Sequence, residues 1–117
     1  MHELSIAEAL SEQVQTHLPV AHRLTSLRLR IGAKQGIDGD SLRWSWEMVV
    51  RGTAMEGSRM ELEMLPWDLS CPECGRTWQS PELLVACNCG CATPVADGSS
   101  DLMLLSLEVE PAEGRTS

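Results

Sequence analysis

A formal charge of −8 and a pI near 4.7 over 117 residues repel phosphate backbones and exclude the nucleic-acid classes that rely on a basic patch. The length suits one main core, and with neither Phe nor Tyr present that core is aliphatic, bulked by Met and four Trp. No run approaches the roughly 18 apolar residues of a membrane span, and Met1-His2-Glu3 lacks the basic region of a secretory signal, so a cytoplasmic chain is expected.

From Leu4 to Leu18 the residues Ile6, Leu10, Val14 and Leu18 recur at every fourth position, with Ala7 on the same face and Pro19 following. That period predicts an amphipathic helix. Leu27, Leu29 and Ile31 then alternate with Ser26, Arg28 and Arg30, which predicts a half-buried strand ending at Gly32. Turn residues from Gly36 to Ser41 precede a second helical pattern, Leu42, Trp46, Val49 and Val50, with Asp40 or Ser41 able to cap it and an end near Gly52. Alternation returns at Met60, Leu62 and Met64, and again at Met103, Leu105, Leu107 and Val109, giving two more strands.

Between these last strands, Trp67 to Ser100 has few periodic apolar positions, three of the six prolines and all five cysteines. Such a segment needs a metal staple to order itself. The layout is therefore α+β: two helices packed on a small three-stranded sheet, with an inserted cysteine-rich zinc-binding domain. The expected division is 1–66 with 101–117 for the α+β domain and 67–100 for the insertion. The tail from Pro111 to Ser117 is expected to fray.

Cysteines confined to the interval from Cys71 to Cys91 do not make a disulfide framework, which would spread its links across the chain. Cys71-Pro72-Glu73-Cys74-Gly75 is a knuckle: two intervening residues let both thiolates face one ion, and the glycine admits the tight turn behind them. After twelve residues follows Cys87-Asn88-Cys89-Gly90-Cys91. Four thiolates would close a tetrahedral structural zinc site with no open position. Cys71, Cys74, Cys87 and Cys89 are the preferred set, because Cys89-Gly90 repeats the cysteine-glycine turn; Cys91 is the alternative to one of the second pair. A redox role for Cys71 and Cys74 would need a strand-to-helix context that the polar turn after Cys71 does not offer.

At the other end, the Met1 amine, the His2 backbone nitrogen and the His2 imidazole Nδ1 can close fused five- and six-membered chelate rings. Three nitrogens are thus arranged locally, and Glu3 or another side chain could complete a tetragonal set suited to Ni(II) or Cu(II). Taken alone, an exposed histidine near a terminus is more often merely solvated.

Met1-His2-Glu3-Leu4-Ser5 resembles the opening of the HypA/HybF hydrogenase-maturation family. Ile31-Gly32, the loop to Asp38, Ser41-Leu42 and Trp46-Glu47 are similar to that family's first strand, loop and second helix. Cys71-Pro72-Glu73-Cys74 and Cys89-Gly90 stand where its zinc loops lie, and Ser106-Leu107-Glu108-Val109-Glu110 resembles its terminal strand. The likeness covers residues 1 to 110; the one-residue Cys87–Cys89 spacer and the additional Cys91 depart from it.

The resemblance implies a nickel metallochaperone, not an enzyme, with structural Zn(II) and transported Ni(II). His2 would be the principal nickel ligand, with the Met1 amine and Glu3 beside it and Asp38 as a further carboxylate. Against that last role stands the reading of Asp38 as a turn residue ahead of the second helix. Implied partners are a HypB-type GTPase and the nickel-iron hydrogenase large subunit, with a homodimer also possible. His17 and His22 match no motif and are expected as solvated residues at a helix end. The alternative function is a zinc-ribbon interaction adaptor in which His2 plays no part.

Overall fold

The computed structural model describes residues 2–83 and 85–112. In chain order these form α1 (His2–His17), β1 (His22–Ile31), a 3-10 turn (Ala33–Gln35), α2 (Gly39–Val49), β2 (Arg59–Met64), β3 (Trp67–Ser70), β4 (Thr77–Ser80), β5 (Val95–Asp97) and β6 (Leu102–Pro111). The chain divides into two compact units. One holds Met1–Leu29, Ile37–Leu62 and Leu104–Ser117; the other holds Arg30–Gly36 and Glu63–Met103.

In the first unit, Ala7, Leu10 and Val14 lie on one stripe of α1 at helical spacing and are all buried. Helix α1 packs against α2, which contributes Leu42, Trp46 and the residue after its end, Val50. Leu24, Leu27 and Leu29 of β1 join the same core with Ile37, Met55 and Met60. The Trp46 indole N–H in this interior is satisfied: Trp46 Nε1 donates to Ser58 Oγ at 2.9 Å, and that hydroxyl donates to Met55 O at 2.6 Å. Burying Trp46 without the Ser58 acceptor would leave an orphan donor.

The main sheet has the order β2-β1-β6, with β1 central. Against β6 the pairing runs antiparallel, since Ala21 O accepts from Ala112 N while Asp101 O accepts from Gly32 N. Toward β2 the numbers rise together, from Arg30 with Glu63 to Ile31 with Leu65, so the sheet is mixed and α2 is the crossover between parallel strands. The second sheet, order β4-β3-β5, is antiparallel throughout, with Leu69 opposite both Trp78 and Ala96. Leu69 is the buried apolar residue of that sheet, accompanied by Cys71 and Cys87.

Several local expectations shift. Helix α1 starts at His2, two residues earlier than the apolar period implied, because the polar opening continues the helix with Glu3 in its first turn. Strand β1 reaches back to His22, which therefore opens a strand instead of trailing a helix; only His17 ends one. The cap of α2 is Asp38, not Asp40 or Ser41: its carboxylate accepts from the backbone N–H groups of Asp40 at 3.0 Å and Ser41 at 3.4 Å. The segment from Trp67 to Ser100 carries three short strands that no apolar alternation announced. Pro111 and Ala112 of the expected frayed tail are described, with Pro111 closing β6; residues 113–117 lie outside the described residues.

Candidate metal centres

Two turns bring the cysteines together. β3 ends at Ser70 and the chain reverses through Cys71 to Arg76 before β4. Gly75 N donates to Cys71 O at 2.9 Å and Cys71 N to Arg76 O at 2.8 Å, with Gly75 in the left-handed region at φ 78°. The second turn repeats the plan. Gly90 N donates to Cys87 O at 3.0 Å, Cys87 N to Cys91 O at 2.9 Å, and Gly90 sits at φ 104°.

The outcome is one cluster in which the sulfurs of Cys71, Cys74, Cys87 and Cys89 all lie within 4.8 Å of one another. Cys71 and Cys89 are 3.5 Å apart and Cys74 and Cys87 are 3.7 Å apart, and all five thiols are free. A tetrahedral ion with metal–sulfur bonds of about 2.3 Å requires sulfurs roughly 3.8 Å apart, so the donor set fits such an ion. Cys91 is not among the four sulfurs so gathered.

The thiol acidities follow from the same crowding. Cys74 N–H points at Cys71 Sγ from 3.5 Å and is the chief reason the Cys71 thiol falls to about 6. Cys87 is also lowered, first by the Cys89 backbone N–H and then, against burial, by the Arg76 guanidinium, whose Nη1 lies 3.9 Å from its sulfur. Cys74 and Cys89 go the other way. The backbone N–H groups of Arg76 and Cys91 favour their thiolates, but the neighbouring sulfurs and burial prevail, and Cys89 is pushed up to about 12. Each close pair thus joins one thiol made more acidic to one made less so, because four like charges do not assemble without a cation among them.

The N-terminal residues belong to the first unit. His2 is exposed as the first residue of α1, where a backbone N–H has no carbonyl one turn earlier to bond. Glu3 reaches across to the second helix: its Oε2 accepts from Asp38 N at 3.1 Å. That N–H, followed by Glu3's own, holds the Glu3 carboxyl below the ordinary value of 4.5. The fold therefore brings Glu3 and Asp38 together, while one Asp38 oxygen is occupied as the α2 cap. Met1 lies outside the described residues, and among the described residues the N-terminal donors do not close a set as the cysteines do.

The sequence reading overlooked Arg76, although a cation two positions past Cys74 is the signal that could have drawn attention to it. The link from Glu3 to the Asp38 backbone was equally invisible, since nothing local joins residues 35 positions apart.

The family described as hydrogenase/urease nickel incorporation, metallochaperone, hypA matches residues 1–109. A hydrogenase maturation factor HypA from Synechococcus is 32% identical over 111 residues, covering 93% of this chain and 99% of that protein. The factor of the same name from Archaeoglobus fulgidus is 34% identical over 112 residues, covering 94% and 99%. Among solved structures, that of the Ni metallochaperone HypA from Helicobacter pylori superposes with a TM-score of 0.52 at 20% identity, over 92% of this chain and 97% of that one. At that identity the likeness concerns the fold.

Proposed function

The chain belongs to the HypA family of hydrogenase/urease nickel-incorporation metallochaperones, and from that membership we propose that it collects Ni(II) at its N-terminus and hands it on during maturation of nickel-iron hydrogenase. Its work is metal transfer, not catalysis of a covalent reaction. The observation that carries the N-terminal assignment is the Glu3 to Asp38 hydrogen bond, which fixes the first turn of α1 against the loop that caps α2. His2 is the principal nickel ligand, with the Met1 amine, Glu3 and Asp38 around it. The orphan amide of a first helical turn supports this reading, because a nitrogen already bonded within the helix would have to be released before binding metal. An exposed, tetragonal set suits a carrier: an incoming ligand displaces one donor at a time, where a closed cage would retain its cargo.

Cys71, Cys74, Cys87 and Cys89 are the ligands of a structural zinc, which when bound supplies folding energy to a segment with little apolar surface of its own. Residues 1–66 with 101–117 make the nickel-binding α+β domain and 67–100 the zinc-binding domain. The receiving partners are a HypB-type GTPase and the large subunit of nickel-iron hydrogenase. Cytoplasmic placement is consistent with the finding that no helix among the described residues is long and apolar enough to cross a membrane.

The test is a calorimetric Ni(II) titration of zinc-loaded protein with no residue added before Met1, beside a His2→Ala variant. One tight nickel equivalent in the parent and none in the variant, with zinc content equal, is the expected result. Equal nickel binding by both would remove His2 from the site.

A further inference from the structure

Arg76 takes part in three contacts at once. Its carbonyl closes the first cysteine turn by accepting from Cys71 N at 2.8 Å. Its guanidinium donates through Nη1 to Cys87 Sγ at 3.9 Å, and the guanidinium carbon lies 4.4 Å from the centroid of the Trp78 ring. The ring is two residues further on, and residues two apart on extended chain share a face, so the stacking follows from the start of β4 at Thr77.

Four thiolates around a divalent ion carry a net charge of about −2, which the site must balance with hydrogen-bond donors and a nearby cation. Backbone N–H groups supply part of this. Among the described residues Arg76 is the cationic side chain that donates to a cluster sulfur. A contact as long as 3.9 Å would be lost to solvent if the side chain were free to rotate, and the Trp78 face limits that rotation. A planar guanidinium stacks by its face and donates by its edge together, whereas an ammonium keeps the charge and its N–H donors but has no planar face to lay on the ring.

We propose that Arg76, held on the Trp78 ring, is an outer positioning cation that anchors Cys87 in the metal cluster and sets how firmly the site retains its ion. This rests on the reading of the four cysteines as zinc ligands. Cys87 is then the fixed ligand, and exposed Cys74 and Cys89 are the ones a competing chelator displaces first.

The experiment is chelator competition on the full zinc-loaded chain, recording zinc affinity and release rate for the parent, Arg76→Ala, Arg76→Lys and Trp78→Leu, with folding followed by circular dichroism. Arg76→Ala should weaken zinc by roughly tenfold or more, the scale of a lost outer-shell partner. Arg76→Lys should recover part of that loss. Trp78→Leu should weaken zinc less than Arg76→Ala, and the double variant should be no worse than Arg76→Ala alone. Unchanged affinity in Arg76→Ala, or a lysine variant no better than alanine, would overturn the proposal while leaving the zinc site standing. A parent protein that binds no zinc, or a Cys87→Ser variant that binds it fully, would instead overturn the ligand assignment beneath it.

Discussion

Glu3 joins two helices through a single oxygen, and its protonation can be followed. Because the Asp38 N–H lowers its carboxyl in the folded state, Glu3 stabilises the fold above the ordinary carboxylate value of 4.5, and that contribution disappears as pH falls through the lowered value. Glu3→Gln should therefore melt below the parent at pH 7, with the gap closing as the solution is acidified. Melting curves from pH 7 to pH 3 check this, and a gap that stays constant would assign the loss to shape and not charge. The four clustered cysteines were legible in the sequence, because donor type and short spacing suffice to nominate them, whereas His2, Glu3 and Asp38 stand as a proposed site, Asp38 through the family resemblance. Their neighbours were not. The Arg76 contact with Cys87 and the Asp38 N–H at Glu3 depend on where distant turns come to rest. Asp38 shows how one residue admits two readings, for its capping bonds to Asp40 and Ser41 are made whether or not a metal ever reaches it.

Among the elements, those with a clear period were legible and those without were not. Both helices and the strands of the main sheet carry apolar residues at spacings of about 3.6 or two, and each was located to within a few residues. β3, β4 and β5 are three or four residues long, and β5 sets Asp97 opposite Asp68, a pairing that a propensity argument would reject. Asp97 is compensated by Lys34, whose Nζ lies 2.9 Å away and lowers its acidity value. The bend after β1 depends on close approach. A Cβ on Gly32 would collide with the Ser99 carbonyl oxygen, and Gly32 N donates to Asp101 O at 2.8 Å across the same gap. Gly32 lies at φ −75°, so conformational freedom is not what requires glycine there. Gly32→Ala should cost about 1–3 kcal/mol by overpacking, read as a lower denaturant midpoint with an unchanged slope. A midpoint equal to the parent's would mean that the 99–101 segment yields without cost.

For the molecule as a whole, the proposed zinc site ties metal uptake to acidity. At neutral pH Cys74 and Cys89 hold protons that an incoming zinc would have to displace, so affinity should fall steadily as pH drops and binding should release protons to the buffer. Calorimetry in two buffers of different ionisation enthalpy measures that release, and identical heats in both would contradict it. Cys74→Ser should lower zinc content and melting temperature together, since three thiolates do not close a tetrahedral site. Composition proposes a division near Trp67, where periodic apolar positions thin out and the cysteines and half of the prolines gather. Where the units part was harder to see: the last residues of β1 and β2 and the first of β6 group with the second unit, although each strand runs on unbroken. The tryptophans fall two to each unit, Trp44 and Trp46 in one and Trp67 and Trp78 in the other. With no tyrosine in the chain, all ultraviolet emission comes from these four indoles. Trp46 is 1% exposed and Trp44 65%, so the first unit emits from one dry and one wet ring, and quenching by iodide separates them. The ring beneath Arg76 gives the second unit an optical signal of its own, and replacing Trp44 and Trp46 with Phe would leave Trp67 and Trp78, whose emission reports on the second unit alone.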